Sequence, residues 1–176
     1  AKDEDANVRL GVTRNDYTSI KLLSILATDE NARVRSSVSL HDNTSQKTLA
    51  ILARDEDKRT RSNILLRRKI SIKLFKILAK DKDANVRKKV ASSLKAPIEI
   101  LNFLSTDEDP EVRFGVAYNN KTPVELLDIL AKDKNARVRS GVAFNPKTPA
   151  KILATLSEDE NMLVRSLASI AISNNQ

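Results

Sequence analysis

The sequence has no cysteine, no tryptophan and a single histidine, His41. Without cysteine the chain itself holds no disulfide, iron–sulfur cluster or thiolate zinc site, and the absence agrees with a reducing compartment, so a cytoplasmic setting is expected. One histidine and no cysteine leave nothing from which to assemble the nucleophile–base pairs or histidine metal sites that need those residues. No enzyme, no metal and no cofactor are therefore expected, and no small-molecule substrate is evident. Four phenylalanines and two tyrosines in 176 residues point to a core of Leu, Ile, Val and Ala. No apolar run approaches the roughly 20 residues of a membrane span, so no membrane partner is expected. No run alternates apolar and polar residues for long enough to suggest a strand.

What the sequence does have is a period. Val-Arg stands at Val8-Arg9, Val34-Arg35, Val86-Arg87, Val112-Arg113, Val138-Arg139 and Val164-Arg165, with Thr60-Arg61 filling the gap in register. Five residues before each pair is an aspartate: Asp3, Asp29, Asp55, Asp81, Asp107, Asp133 and Asp159. An unbroken 26-residue period is the mark of a solenoid, in which each repeat packs on its neighbours. With 40% hydrophobic and 31% charged residues the chain is globular rather than disordered. The expected domain is one repeat array over residues 1–176. Ala1-Lys2-Asp3 aligns with Ala53-Arg54-Asp55, Ala79-Lys80-Asp81 and Ala131-Lys132-Asp133, which end Leu-Ala helices, so a start in mid-repeat within a longer array is expected. Removal of an initiator Met before Ala1 is the alternative.

The clearest unit, Val138 to Leu163, predicts two helices. The first starts at the aspartate, whose side chain accepts from free N–H groups of the next turn. Val138 and Val142 share a face with Ala143 beside it, Asn145 suits a left-handed terminating residue, and Pro146 prevents continuation. Thr148-Pro149 opens the second helix as N-cap and first residue, with Ile152, Leu153 and Leu156 as its apolar stripe. Helices of about nine to eleven residues are too short to persist alone, so stability must come from stacking. The expected fold is all-α: a right-handed α-solenoid, or superhelix, of 26-residue two-helix repeats, about six of them full, with partial ends.

The pattern Val-Arg-x-x-Val-Ala-x-Asn-Pro-x-Thr-Pro-x-x-x-Leu-x-x-Leu-Ala-x-Asp resembles the leucine-rich repeat variant family, within the broad HEAT- and armadillo-like α-solenoid class. The resemblance covers the whole chain. It is strongest over Val112–Leu163 and weakest where Arg67-Arg68-Lys69-Ile70-Ser71 replaces the Asn-Pro-x-Thr-Pro loop. It implies a right-handed superhelix alternating an α-helix with a 3₁₀ or second short helix. A known member carries a cysteine-ligated iron–sulfur cluster beside its repeats, which a chain without cysteine cannot hold.

The repeated charges are expected to be scaffold: each arginine joins an aspartate of a stacked repeat and loop carbonyls, and acids such as Glu30 and Glu160 suit the positive end of a helix dipole. The exceptions to the period carry the functional reading. Residues 54–95 hold 15 Lys/Arg against 5 Asp/Glu, while the whole chain is only +8. Within this block Arg59, Arg67, Arg68, Lys69, Lys73, Lys88, Lys89 and Lys95 are the candidate binding residues. Lys69, Lys95, Lys121 and Lys147 recur once per repeat in the inter-helix loop and are expected to form a row. Phe114 stands where other repeats carry serine and is a candidate aromatic anchor, whereas Tyr118 and Phe144 are assigned to core packing. Leu163, Leu167, Ile170 and Ile172 make an apolar C-terminal end suited to self-association. His41 takes the helix-ending position of Asn119 and Asn145.

Together these predict a non-catalytic scaffold that binds a protein with an acidic surface. One alternative is a nucleic-acid module held by phosphate contacts from the block, although Phe75, its only aromatic, falls on the buried stripe with Leu74 and Leu78. Another is an accessory array attached to a catalytic or redox domain outside this chain. Base excision, known among HEAT-like solenoids, finds no pocket residue set here.

Overall fold

In the computed structural model residues 2–174 are described; Ala1, on which the mid-repeat start depends, lies outside them. Among the described residues the elements are helical throughout. They are α1 (Ala6–Thr13), α2 (Ile20–Leu26), α3 (Ala32–Leu40), α4 (Gln46–Leu52), α5 (Lys58–Asn63), a 3₁₀ turn at Ile64–Leu66, α6 (Ile72–Leu78), α7 (Ala84–Ala91), α8 (Ile98–Leu104), α9 (Pro110–Tyr118), α10 (Val124–Leu130), α11 (Ala136–Phe144), α12 (Ala150–Leu156) and α13 (Met162–Asn174). The second element of each repeat is a seven-residue α-helix rather than a 3₁₀ helix. At nine residues α3, α9 and α11 match the expected length; the second helices, at seven residues, are shorter and α13, at 13, is longer. The chain divides into two compact units, Ala1–Val86 and Arg87–Gln176, each a stack of such repeats.

In the first unit α1, α3 and α5 stack in order, and α4 packs on α6. Leu23, Leu26, Val34, Val38, Leu49, Leu52, Leu74, Phe75 and Leu78 are buried between them. In the second, α9 stacks on α11 and α11 on α13, over Leu101, Leu104, Val112, Val116, Leu127, Leu130, Val138, Val142, Leu153 and Leu156. These are the expected Leu, Ile and Val positions, and their burial is what stabilises helices of two turns.

The first helix starts later than expected. Its N-cap is not the periodic aspartate but the residue two further on: Asp5, Asn31, Asp57, Asp109 and Asn135. Asn135 accepts from the Arg137 N–H at 2.9 Å, while Asp133 accepts from the Asn135 N–H at 2.8 Å and so shapes the turn that leads in. The end of the helix also differs: Asn145 is extended at φ −71° rather than left-handed, and no described residue has positive φ. Pro149, not Thr148, caps the second helix, with φ −63° and ψ 150°. Thr148 is buried instead, its hydroxyl donating to the Val142 carbonyl at 2.6 Å, as Thr18, Thr44 and Thr122 do to Val12, Val38 and Val116. That bond satisfies a carbonyl freed at the helix end.

The arginine series is scaffold. Arg9, Arg35, Arg87, Arg113 and Arg139 each give Nε and Nη2 to the two oxygens of Asp29, Asp55, Asp107, Asp133 and Asp159, twenty residues on, and Arg61 does the same with Asp81. Nη1 of Arg9, Arg35, Arg61, Arg113 and Arg139 donates to the backbone carbonyls of the turn before its own helix. Bidentate pairing with filled remaining donors is the geometry in which a buried guanidinium is tolerated. Glu30, Glu56, Glu108 and Glu160 add a second carboxylate to Arg9, Arg35, Arg87 and Arg139. The guanidinium bond holds the carboxyls of Asp29 and Asp159 below the usual range. For Asp107 and Asp133 burial pushes upward, but the arginine and a backbone N–H outweigh it and the net shift is downward.

Candidate binding surface

The basic block divides by role once the side chains are placed. In the first unit, α6 and the turn after it present exposed Lys73, Lys76, Lys80 and Lys82, and with Arg54 they line an open cleft of about 720 Å³. The Arg61–Asp81 pair, 2.6 Å between Nε and Oδ2, also lines it, as do Asp55 and Glu56, both paired with Arg35, so the five exposed cations supply its excess charge. Exposed Arg68 and Lys69 border a second cleft with Asp42, Asn43 and Ser45. Lys58 pairs with Asp83 at 3.0 Å, and this bond, ahead of the backbone contact from Asn85, lowers the Asp83 carboxyl to about 2.

Arg67 is a structural member. Its Nη1 donates to the carbonyls of Ser39 and His41, at 3.3 and 2.7 Å, and Nη2 to that of Asp42 at 3.1 Å. Burial pushes its guanidinium below its ordinary value, with the Asp42 charge acting the other way. Arg67 thereby performs for its loop what asparagine performs elsewhere, and the signal was in the sequence: it falls 78 residues before Asn145, three whole periods.

In the second unit Lys88 bonds Glu111 at 2.6 Å, and Lys89 is exposed. Lys95, Lys121 and Lys147 are all exposed in the inter-helix loops, as Lys69 is in the first unit. Phe114 is half-buried, with its ring 5.7 Å from that of Tyr118, which stacks in turn on Phe144 at 5.1 Å. The Arg137 guanidinium lies 4.4 Å from the Phe114 ring centroid and also pairs with Glu111. Tyr118 and Phe144 are 48% and 57% exposed, which overturns their assignment to the core. They end α9 and α11 two residues beyond Val116 and Val142, a rotation of about 200° that turns them away from the buried stripe. At the C-terminal end Leu163 and Ile170 are exposed, whereas Leu167 and Ile172 are half-buried on α13.

Among the described residues no three His, Cys, Asp or Glu side chains cluster so as to hold a metal ion, and no helix is long and apolar enough to cross a membrane. An iron–sulfur cluster finds no ligand in a chain without cysteine. No known family profile matches the sequence. No curated protein matches it either. The structure, however, is similar to a solved structure described as a leucine-rich repeat variant with a novel repetitive protein structural motif. The two are 28% identical with a TM-score of 0.77, over 97% of this chain and 67% of the other. The resemblance read from the repeat pattern is thus matched in three dimensions, and the fold is that of an α-solenoid repeat protein.

Proposed function

We propose that the chain is a non-catalytic repeat scaffold that binds an acidic protein surface through the basic block at residues 54–95. The observation that supports this reading is the exposed group of Arg54, Lys73, Lys76, Lys80 and Lys82 about a single open cleft, where Lys76 and Lys82 replace the neutral or acidic residues of most other repeats. Lysines on flexible stems suit an extended acidic patch better than one tightly bound group. Phe75, the only aromatic of the block, is 1% exposed, so this surface offers no stacking platform for bases.

Fluorescence anisotropy with labelled polyglutamate and a labelled random DNA duplex tests the reading. Polyglutamate is expected to bind at low salt, and the variant Lys73→Ser/Lys76→Ser/Lys80→Ser/Lys82→Ser to weaken it by about tenfold or more. No binding of polyglutamate, or binding indifferent to the four substitutions, overturns it. Tighter binding to the duplex, falling steeply with log salt, transfers the block to nucleic acid.

A further inference from the structure

A second cationic site lies in the first unit, on the surface formed by α1, α3 and α5. Arg14 at the end of α1, Arg33 in the first turn of α3 and Arg59 in the first turn of α5 line one cleft of about 510 Å³ with Ser36, Leu40 and Asp57. None of the three guanidiniums is seen in a salt bridge among the described residues. In the second unit, by contrast, Arg137, at the same repeat position as Arg33 and Arg59, is engaged by Glu111 and the Phe114 ring. Arg14 breaks the period, since Leu40, Leu66, Tyr118 and Phe144 hold that position in other repeats. Asp57 also lines the cleft, where its oxygens cap α5 through the N–H groups of Arg59 and Thr60 and its charge acts on Arg59, so the three arginines outnumber one carboxylate. Ser36 Oγ accepts from Asn63 Nδ2 at 2.8 Å, and its own proton has no acceptor among the described residues.

We infer that this cleft binds a single phosphomonoester on a peptide, a phosphoserine or phosphothreonine. Three guanidiniums lining one cleft, against the single carboxylate of Asp57, match a compact, doubly charged tetrahedral oxyanion, for which arginine supplies paired donors that lysine lacks. The Ser36 hydroxyl adds a neutral donor, and the Leu40 side chain gives apolar contact for the residues beside the phosphate. The field around the cleft is local rather than extended: residues 1–53 carry seven Lys/Arg and seven Asp/Glu. A nucleic-acid backbone needs a continuing track of cations, which this stretch lacks. The inference rests on the reading that the chain binds an acidic protein, and it identifies a separate contact for such a partner.

The test is calorimetric titration of the full chain with a short apolar-flanked phosphoserine peptide, its unphosphorylated form, inorganic phosphate and a random duplex. The phosphopeptide is expected to bind at least about tenfold more tightly than the unphosphorylated peptide, and Arg14→Ser/Arg33→Ser to abolish that difference. Both residues are exposed, so an unchanged thermal midpoint is expected and shows that the fold is intact. Arg14→Lys/Arg33→Lys is expected to restore only part of the difference, and Arg137→Ser to leave it intact. Lack of preference for the phosphopeptide, or a preference that survives Arg14→Ser/Arg33→Ser, overturns the inference. So does a duplex that displaces the phosphopeptide and is itself weakened by the same two substitutions. The serine variant of Lys73, Lys76, Lys80 and Lys82 separates the two readings. If it loses polyglutamate while the arginine variant changes nothing, the block stands and this site falls; the reverse result removes the block and keeps the site.

Discussion

Asn145 donates its side-chain amide to the backbone carbonyl of Asn119, the equivalent residue one repeat earlier, at 2.9 Å. The same nitrogen reaches the Ala117 carbonyl, and Oδ1 accepts from the Lys147 N–H, so one buried side chain ties two successive loops together. Asn119 makes the corresponding bonds to Ala91 and Ser93. In the first unit His41 is the analogue: Nε2 sits 3.0 Å from the Asn15 carbonyl and Nδ1 accepts from the Asn43 N–H at 3.1 Å. That pattern requires the neutral tautomer protonated on Nε2.

Asn145→Ala is therefore expected to destabilise by about 1–3 kcal/mol, because two buried carbonyls and one N–H lose their partner. His41→Asn, which keeps one donor and one acceptor in the same place, is expected to cost well under the His41→Ala change. Urea unfolding measures both. Equal losses for Asn and Ala at position 41 contradict the shared role.

The Arg113–Asp133 pair gives a second expectation. Nε and Nη2 of Arg113 meet Oδ2 and Oδ1 of Asp133 at 2.6 and 2.9 Å, and both side chains are buried. Arg113→Leu leaves a buried carboxylate with only the Asn135 N–H, and a loss of about 3–5 kcal/mol is expected. Arg113→Leu/Asp133→Leu is expected to recover part of it, since the desolvated charge goes with its partner. A double variant no better than the single one refutes coupling between the two.

Acid stability follows from the same rungs. The folded-state pKa of Asp29, Asp107, Asp133 and Asp159 lies below the ordinary value of about 3.9. As pH falls from about 5, the unfolded chain takes up protons first, so stability present at neutral pH is lost through the range between the unfolded and folded values. Each net proton contributes a slope of about 1.4 kcal/mol per pH unit. Asp133→Asn is expected to be less stable at pH 7 and to show a shallower decline between pH ~5 and ~3. An unaltered slope in urea midpoints across that range removes Asp133 from the titrating set.

The period made the scaffold legible because every repeat repeats the same physical problem. Val112, Val116 and Leu127 recur at fixed intervals, and the aspartate and arginine recur with them, so their pairing was readable from spacing. The helix start was misread because two acceptors compete there: Asp133 and Asn135 both suit a cap, and only the turn geometry decides between them. Tyr118 and Phe144 share their repeat position with Leu40 and Leu66, which suggests a core site, yet all four are exposed because the position is turned away from the buried valine stripe. The Arg14–Arg33–Arg59 cleft was not legible at all. Its members lie 19 and 26 residues apart, only Arg59 of them within the charged block, and the stacking of three helices brings them to one place.

Glycine substitutions probe that stacking from the other side. A Cβ on Gly141 meets Phe114 Cδ2 at 2.9 Å and Ala117 Cβ at 3.0 Å, both on the neighbouring helix α9. Gly141→Ala gains roughly 0.5–1 kcal/mol in helix propensity but forces the ring outward, for a net loss of about 1–2 kcal/mol. A Cβ on Gly11, in α1, meets nothing within 4 Å, and Gly11→Ala is expected to stabilise by about 0.5–1 kcal/mol. Thermal unfolding of the two variants should then give shifts of opposite sign. In a Phe114→Ala background, Gly141→Ala is expected to lose much of its cost, because the Ala117 contact alone remains. Two shifts of the same sign show that Phe114 does not hold the helices at this separation.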